Sequence, residues 1–230
     1  MQERALKAGN AHYADASAVP DQIPVFPLAG ALLLPGCRLP LNIFEPRYIA
    51  MVDHALAGAR VIGMIQPDLG AHEDGPTGTE PALSAIGCAG RVVSFAESGD
   101  GRYLISLVGI CRFRCRGEVR AGTPFRQCRI APLGADFEAD NSTGRIDRAA
   151  LLQVFQAYLE ANNLEADWDS IRGAANDLLV NTLSMMAPFG PEEKQALLEA
   201  ADLKTRAETL VAVTELSLAR GGDRSPSSLQ

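Results

Sequence analysis

A chain of 230 residues with 47% hydrophobic content is long enough for one large domain or two small subdomains, and its core needs no disulfide or metal to hold it. A net charge of −7 argues against nucleic acid or an anionic membrane as the main partner. Five cysteines (Cys37, Cys88, Cys111, Cys115, Cys128) are odd in number and lack paired CxxC spacing, so they read as reduced, mostly buried thiols of a cytoplasmic protein.

Residues 1–21 are polar and alanine-rich with charges of both signs, and they read as a flexible tail without the apolar region of a secretory signal. Ile23, Val25 and Phe26 are extended-prone, and Ile23 and Phe26 each precede a proline, which disfavours helix. The run from Pro24 to Leu34 is apolar but too short and too interrupted to span a membrane. Pro35-Gly36 predicts a tight turn. Leu39, Leu41 and Ile43 alternate with Arg38, Pro40 and Asn42, the period of a half-buried strand. Pro46 suits the first position of a helix that runs to about Ala57, with Tyr48, Met51, Val52 and Leu56 on one face.

Further strands are predicted at 60–66, 87–95, 103–108, 111–116 and 125–130, with a loop at 68–81 and a hairpin turn at 98–101. The character changes at 133–143. Beyond it, Leu151, Phe155, Tyr158 and Leu159 share a helical face, and Ile171, Ala175, Leu178 and Thr182, continued by Leu179, Leu183 and Met186, form another. Pro191 with Glu192 and Glu193 starts a helix. Asp202 is the predicted N-cap of a last helix with Leu203, Ala207, Leu210, Thr214 and Leu218 as its stripe, ended by Gly221. Strands first and helices second predict an α+β protein with segregated parts: a β subdomain over 22–132, a helical subdomain over 133–220, and flexible tails at 1–21 and 221–230.

Pro24, Pro27, Leu28, Pro35, Gly36, Pro40, Leu41, Ile43, Phe44, Glu45, Arg47 and Tyr48 together resemble the start of the Lon protease N-terminal, substrate-binding domain. Two further segments are similar to the same family: Asp100 to Leu104 leading through Gly109 to Arg112-Phe113-Arg114, and Glu192 to Glu199. The resemblance covers about residues 22–220. It implies a PUA-like β pseudo-barrel with one helix, followed by a helical bundle, and a role in binding polypeptide. It does not bring catalysis. The only lysines are Lys7, Lys194 and Lys204, none following a glycine, so no P-loop is present, and no Ser-Lys dyad suggests itself. Neither a metal site nor a cofactor site is expected: His12, His54 and His72 share no motif spacing, and Cys111 and Cys115 read as small buried groups. Cys128, between Arg126 and Arg129, is the one cysteine whose neighbours could lower a thiol pKa.

Three surfaces are candidates for binding. The first is apolar: any of Leu32, Leu33 and Leu34 that faces outward would offer a patch to unfolded segments. The second is Glu45 with Arg47, which either line a peptide groove or serve only to fix the helix while Phe44 and Tyr48 pack into the barrel. Together these predict a non-catalytic module that takes a polypeptide or protein partner through strand edges and apolar pockets. The third is a series of arginines, Arg112, Arg114, Arg116, Arg126 and Arg129. Strand alternation puts the first three on one face, opposite Cys111, Phe113 and Cys115. They form either a solvated face that discourages edge pairing or, as the alternative function, a polyanion-binding face for nucleic acid.

Overall fold

The computed structural model describes residues 5–68, 81–138, 145–162 and 167–222. The predicted loop at 68–81 and His72 fall almost wholly outside these residues. The chain forms two compact units. One comprises residues 1–139 and 188–198, the other 140–187 and 199–230.

The first unit is built on eight strands: β1 (Leu6–Ala8), β2 (Ala11–Tyr13), β3 (Gln22–Pro27), β4 (Arg38–Ile43), β5 (Val61–Pro67), β6 (Leu83–Glu97), β7 (Tyr103–Val119) and β8 (Gln127–Pro132). β1 and β2 make a separate antiparallel hairpin. The other six run in the order β4-β7-β6-β5-β3-β8, and β8 returns to pair with β7, so five strands close on themselves and β4 is left at an edge. Among the described strands, β3 and β5 are the one parallel pair. The segregated α+β order expected from the sequence is therefore found.

β7 is the organising strand. It pairs with β6 along most of its length, with β4 at Tyr103–Val108, and with β8 from Phe113 onward. Phe113, fully buried, fills the space that two glycines leave. A Cβ at Gly87 would sit 2.5 Å from the Phe113 ring, and one at Gly63 would sit 3.0 Å from it. Such approaches are below any normal carbon contact, so glycine at both positions makes room for the ring.

The expectation of a loose tail at 1–21 is corrected for the described residues. Leu6, Ala8, Tyr13 and Val19 are buried in the same core as Phe113, Ile23 and Val25. Gly9, with φ +62°, turns the hairpin. Apolar groups at alternate positions of two three-residue strands were too few to stand out from the polar alanine-rich context.

Helix α1 (Pro46–Ala57) begins at the predicted proline and buries Tyr48, Met51, Val52 and Ala55. It ends through Arg60, whose positive φ of 60° lets its amide donate to the Ala55 carbonyl at 2.8 Å.

In the second unit, α2 (Arg148–Ala161), α3 (Trp168–Gly173), α4 (Asn176–Met186) and α6 (Leu203–Gly222) make a small bundle in which α2 and α4 pack on α6. Asp147 caps α2 through the Ala150 amide, and Asp202 caps α6 through the Thr205 amide at 2.7 Å, as its position predicted. The single face expected over 171–186 is corrected. The chain breaks between α3 and α4, Leu179, Val180 and Leu183 face the core, and Leu178 and Met186 are exposed. Arg148 ties this break to α2 with bonds to Asn176 Oδ1 and the carbonyls of Ile171 and Arg172. The fifth helix, α5 (Pro191–Glu199), lies mostly in the segment 188–198 and so belongs with the β unit, not with the bundle as the sequence suggested.

Candidate functional site

The turn into α1 is a self-contained corner. The Glu45 carbonyl accepts from the Tyr48 and Ile49 amides, and the Arg47 Nε donates to Glu45 Oε2 at 3.0 Å. The Arg47 guanidinium lies 4.5 Å from the centroid of the Tyr48 ring, and that ring packs 4.3 Å from Phe26. Glu45 and Arg47 thus engage each other and the aromatic pair, with both side chains still partly open to solvent.

Phe44 reverses the sequence expectation. It is 63% exposed rather than packed into the barrel. β4 ends at Ile43, which takes the inward position, and Phe44 follows with its ring in solvent. Leu104 (49% exposed) and Phe95 (39%) lie at the same end of the β4–β7–β6 ladder, where Leu104 stands opposite Asn42 and Ala96 and Phe95 opposite Ile105. The Phe95 and Tyr103 rings meet edge to face at 4.8 Å. Partial desolvation, the hydrogen bond from its hydroxyl to Asp53 and the charges of Asp53 and Glu97 push the Tyr103 phenol up. Paired residues share a face, so Leu104, with Asn42 and Ala96, lies on the opposite face from Phe95, which sides with Ile105 and Tyr103. Alternation past Asn42 and Ile43 puts Phe44 on the Leu104 side, and these two make a small apolar lip. Phe44 was legible as an aromatic but not as an exposed one, and Phe95 and Leu104 were read only as strand residues.

Leu32, Leu33 and Leu34, by contrast, are all buried. Leu33 sits over Gly90, where a Cβ would approach its Cδ2 to 2.6 Å. The turn that follows is bonded to β7: the Gly36 amide donates to the Gly109 carbonyl and the Gly109 amide to the Cys37 carbonyl, both at 2.9 Å. The leucine run is core, and none of the three presents a surface.

The edge of β4 is also blunted. Pro40 stands opposite Ser106 in the middle of the strand and carries no N–H. Proline is tolerated there because the strand is at an edge, and it removes a donor an added strand would need.

The arginine series divides. Arg112 is 4% exposed and fully engaged. Its Nη2 donates to Asp136 Oδ1 at 2.7 Å, its Nε to the same carboxylate, its backbone amide to Asp136 Oδ2 at 2.6 Å, and its Nη1 to the Leu198 carbonyl of α5 at 3.1 Å. The prediction that Arg112 shares a solvated face with Arg114 and Arg116 is corrected: the 133–138 turn and the end of α5 cover it. Arg126 pairs with Glu118 at 2.7 Å and the Pro81 carbonyl at 2.8 Å. Arg114, Arg116 and Arg129 are exposed on β7 and β8. Cys128 does not have the lowered pKa its neighbours suggested: burial, then the adjacent Cys115 thiol, push it up.

α5 is fastened to the barrel at its start as well. Gln66 Nε2 donates to the Pro191 carbonyl at 2.9 Å and to Gln195 Oε1 at 3.1 Å, and Gln195 Nε2 donates to the Ile86 carbonyl at 3.2 Å. Lys194, on the same helix, is buried, and burial lowers its pKa to about 8. The bundle carries a groove of about 330 Å³ between α2 and α6, floored by Leu151, Ala207 and Val211 and edged by Lys204 and Glu208. Among the described residues, no group of three or more His, Cys, Asp or Glu side chains could hold a metal ion, and no helix is long and apolar enough to cross a membrane.

The solved structures most similar in fold include the Lon N-terminal domain protein from Xanthomonas campestris (TM-score 0.57, 21% identical, covering 83% of this chain and 97% of that one). Another is the N-terminal domain of the Mycobacterium avium complex Lon protease (TM-score 0.62, 16% identical, 84% of this chain and 98% of that one). Curated relatives include the Lon protease of Desulfosudis oleivorans, 24% identical over 223 residues and 92% of this chain, and Lon protease 2 of Sorangium cellulosum, 29% identical over 204 residues and 84% of this chain. The chain spans about a quarter of the length of these relatives, 26% and 24%. The ATP-dependent protease La (LON) substrate-binding domain matches residues 22–214, nearly the whole of both units, and the chain belongs to that family.

Proposed function

We propose that this chain is a non-catalytic polypeptide-binding module of the cytoplasm, and that it captures apolar side chains of unfolded segments on the lip formed by Phe44 and Leu104. The observation that carries this reading is the exposure of two large apolar groups, Phe44 and Leu104, on one face at the end of a single ladder, beside the Glu45–Arg47 corner. Exposed apolar clusters commonly mark interaction sites. Because Pro40 blunts the neighbouring edge, capture rests on side-chain contacts more than on strand addition. Binding in the micromolar range, about −8 kcal/mol, suits a surface that samples many segments. Leu32, Leu33 and Leu34 are core and make no contact with the ligand.

The test is fluorescence anisotropy with a labelled, permanently unfolded polypeptide. The paired change Phe44→Ser and Leu104→Ser should weaken binding at least tenfold while leaving the melting temperature in place. Unchanged affinity in a folded double variant would refute the reading.

The alternative, nucleic-acid binding, keeps three of its five arginines, Arg114, Arg116 and Arg129, because Arg112 and Arg126 are engaged elsewhere. It predicts affinity for a single-stranded oligonucleotide that falls steeply with salt. Binding of unfolded polypeptide to the lip should change little over the same titration.

A further inference from the structure

Cys115 on β7 and Cys128 on β8 lie on paired antiparallel strands, with Cys115 opposite Ile130 and Cys128 opposite Glu118. The register shifts between Cys115 and Gly117, so Arg116 is bulged out. Cys128 is two residues from Ile130, which places both sulfurs on one side of the sheet. The Cys115 thiol lies near enough to Cys128 to help push its pKa up. Cys128 is buried and Cys115 is partly exposed, whereas Cys37, Cys88 and Cys111 are all buried. Solvent therefore reaches one member of the pair, and its partner waits behind it.

We propose that Cys115 and Cys128 are a modification site that closes to an intramolecular disulfide under a peroxide-class oxidant. The Cys115 sulfur attacks one peroxide oxygen and the O–O bond breaks, which gives a Cys115 sulfenic acid and, with the thiol proton, one water. The Cys128 sulfur then attacks the Cys115 sulfur. The S–O bond breaks, and the departing hydroxide leaves as a second water with the proton from Cys128. Two thiols lose two electrons in all and one hydrogen peroxide is reduced to two waters. The upward shift of the Cys128 thiol slows this second step. A disulfide needs its Cβ atoms about 3.5–4.5 Å apart, and the bulge at Arg116 is where β7 can give to reach that spacing. The crosslink would join β7 to β8 around the β7–β8 turn, and a thiol reductant would reopen it.

The test treats the full chain with hydrogen peroxide, blocks remaining thiols, and maps the products by peptide mass spectrometry. The expected result is the loss of two hydrogens in a Cys115–Cys128 linked pair, reversed by dithiothreitol, with a raised melting temperature for the oxidised chain. Cys128→Ser should leave a Cys115 sulfenic acid that dimedone traps, and Cys115→Ser should abolish the linkage. Cys115 sulfinic or sulfonic acid beside a free Cys128 thiol would overturn the proposal. So would a Cys115 that peroxide leaves untouched, or a linkage to any other cysteine.

Discussion

The carbonyl oxygen of Leu34 lies over Gly109 so closely that a Cβ on Gly109 would stand 2.1 Å from it. Pro35 forms a parallel bridge with Gly109, and the two hydrogen bonds between Gly109 and the 36–37 turn lock the crossing. This is what converts an apolar leucine run into core. The turn can press Leu33 and Leu34 into the barrel only where β7 has no side chain to hold it off.

Gly109→Ala should therefore destabilise the chain by about 2–3 kcal/mol, because the clash is with backbone and the turn must move. Gly134→Ala is the control. Nothing lies within 4 Å of the Cβ it would add, and its φ is not in the left-handed region. Urea denaturation should show a clear drop in midpoint for the first variant and almost none for the second. Equal midpoints would show that the crossing is looser than the structure describes.

The Arg112–Asp136 pair gives a second test. Both side chains are buried, and the guanidinium also holds the last-turn carbonyl of α5. Arg112→Met leaves Asp136 buried without its cation and should cost about 3–5 kcal/mol. The double change Arg112→Met with Asp136→Leu should cost much less than the sum of the singles, since no lone charge remains. Additive losses in a double-mutant cycle would show that the two groups do not act as a pair.

What could be read from the sequence was whatever local chemistry decides. Period-two alternation found β4, Pro46 found the start of α1, and Asp202 found its cap. What could not be read was decided by groups far away in the chain. Arg112 has the strand parity of an outward residue, and only Asp136 and Leu198, 24 and 86 residues on, make its position an interior one. The leucine run carries no alternation, so its burial depended on glycines at 90 and 109 that the sequence alone could not place beneath it. Phe44 failed for a different reason: an aromatic between a strand and a helix is usually core, but here Ile43 takes the inward position and leaves the next residue outside. The family resemblance drew attention to the residues around Glu45 but did not say which of their neighbours face solvent.

Lys194 predicts a pH dependence. Burial lowers its pKa to about 8 from an ordinary value of 10.5. Below pH 8 the folded and unfolded states are both charged, and the folded state carries the full desolvation penalty. Between pH 8 and 10.5 the unfolded chain binds more protons than the folded one, so this residue's contribution makes stability rise with pH, by at most about 3 kcal/mol. Lys194→Met should flatten that rise. Stability curves for the two proteins that stay parallel from pH 7 to 10.5 would show that Lys194 does not titrate in this window.

The last prediction separates scaffold from binding surface at adjacent turns of the same corner. Tyr48 is buried against Phe26 and under the Arg47 guanidinium, so Tyr48→Ala should cost about 3–5 kcal/mol, as truncation of a core aromatic does. Phe44, four residues earlier, is mostly in water, and Phe44→Ala should stay within about 0.5 kcal/mol of the parent. The same substitution should nonetheless lower affinity for unfolded polypeptide. Thermal melts and anisotropy on the two variants therefore have opposite expected patterns. A Phe44→Ala protein that loses several kcal/mol would place that ring in the core and remove the lip as a surface.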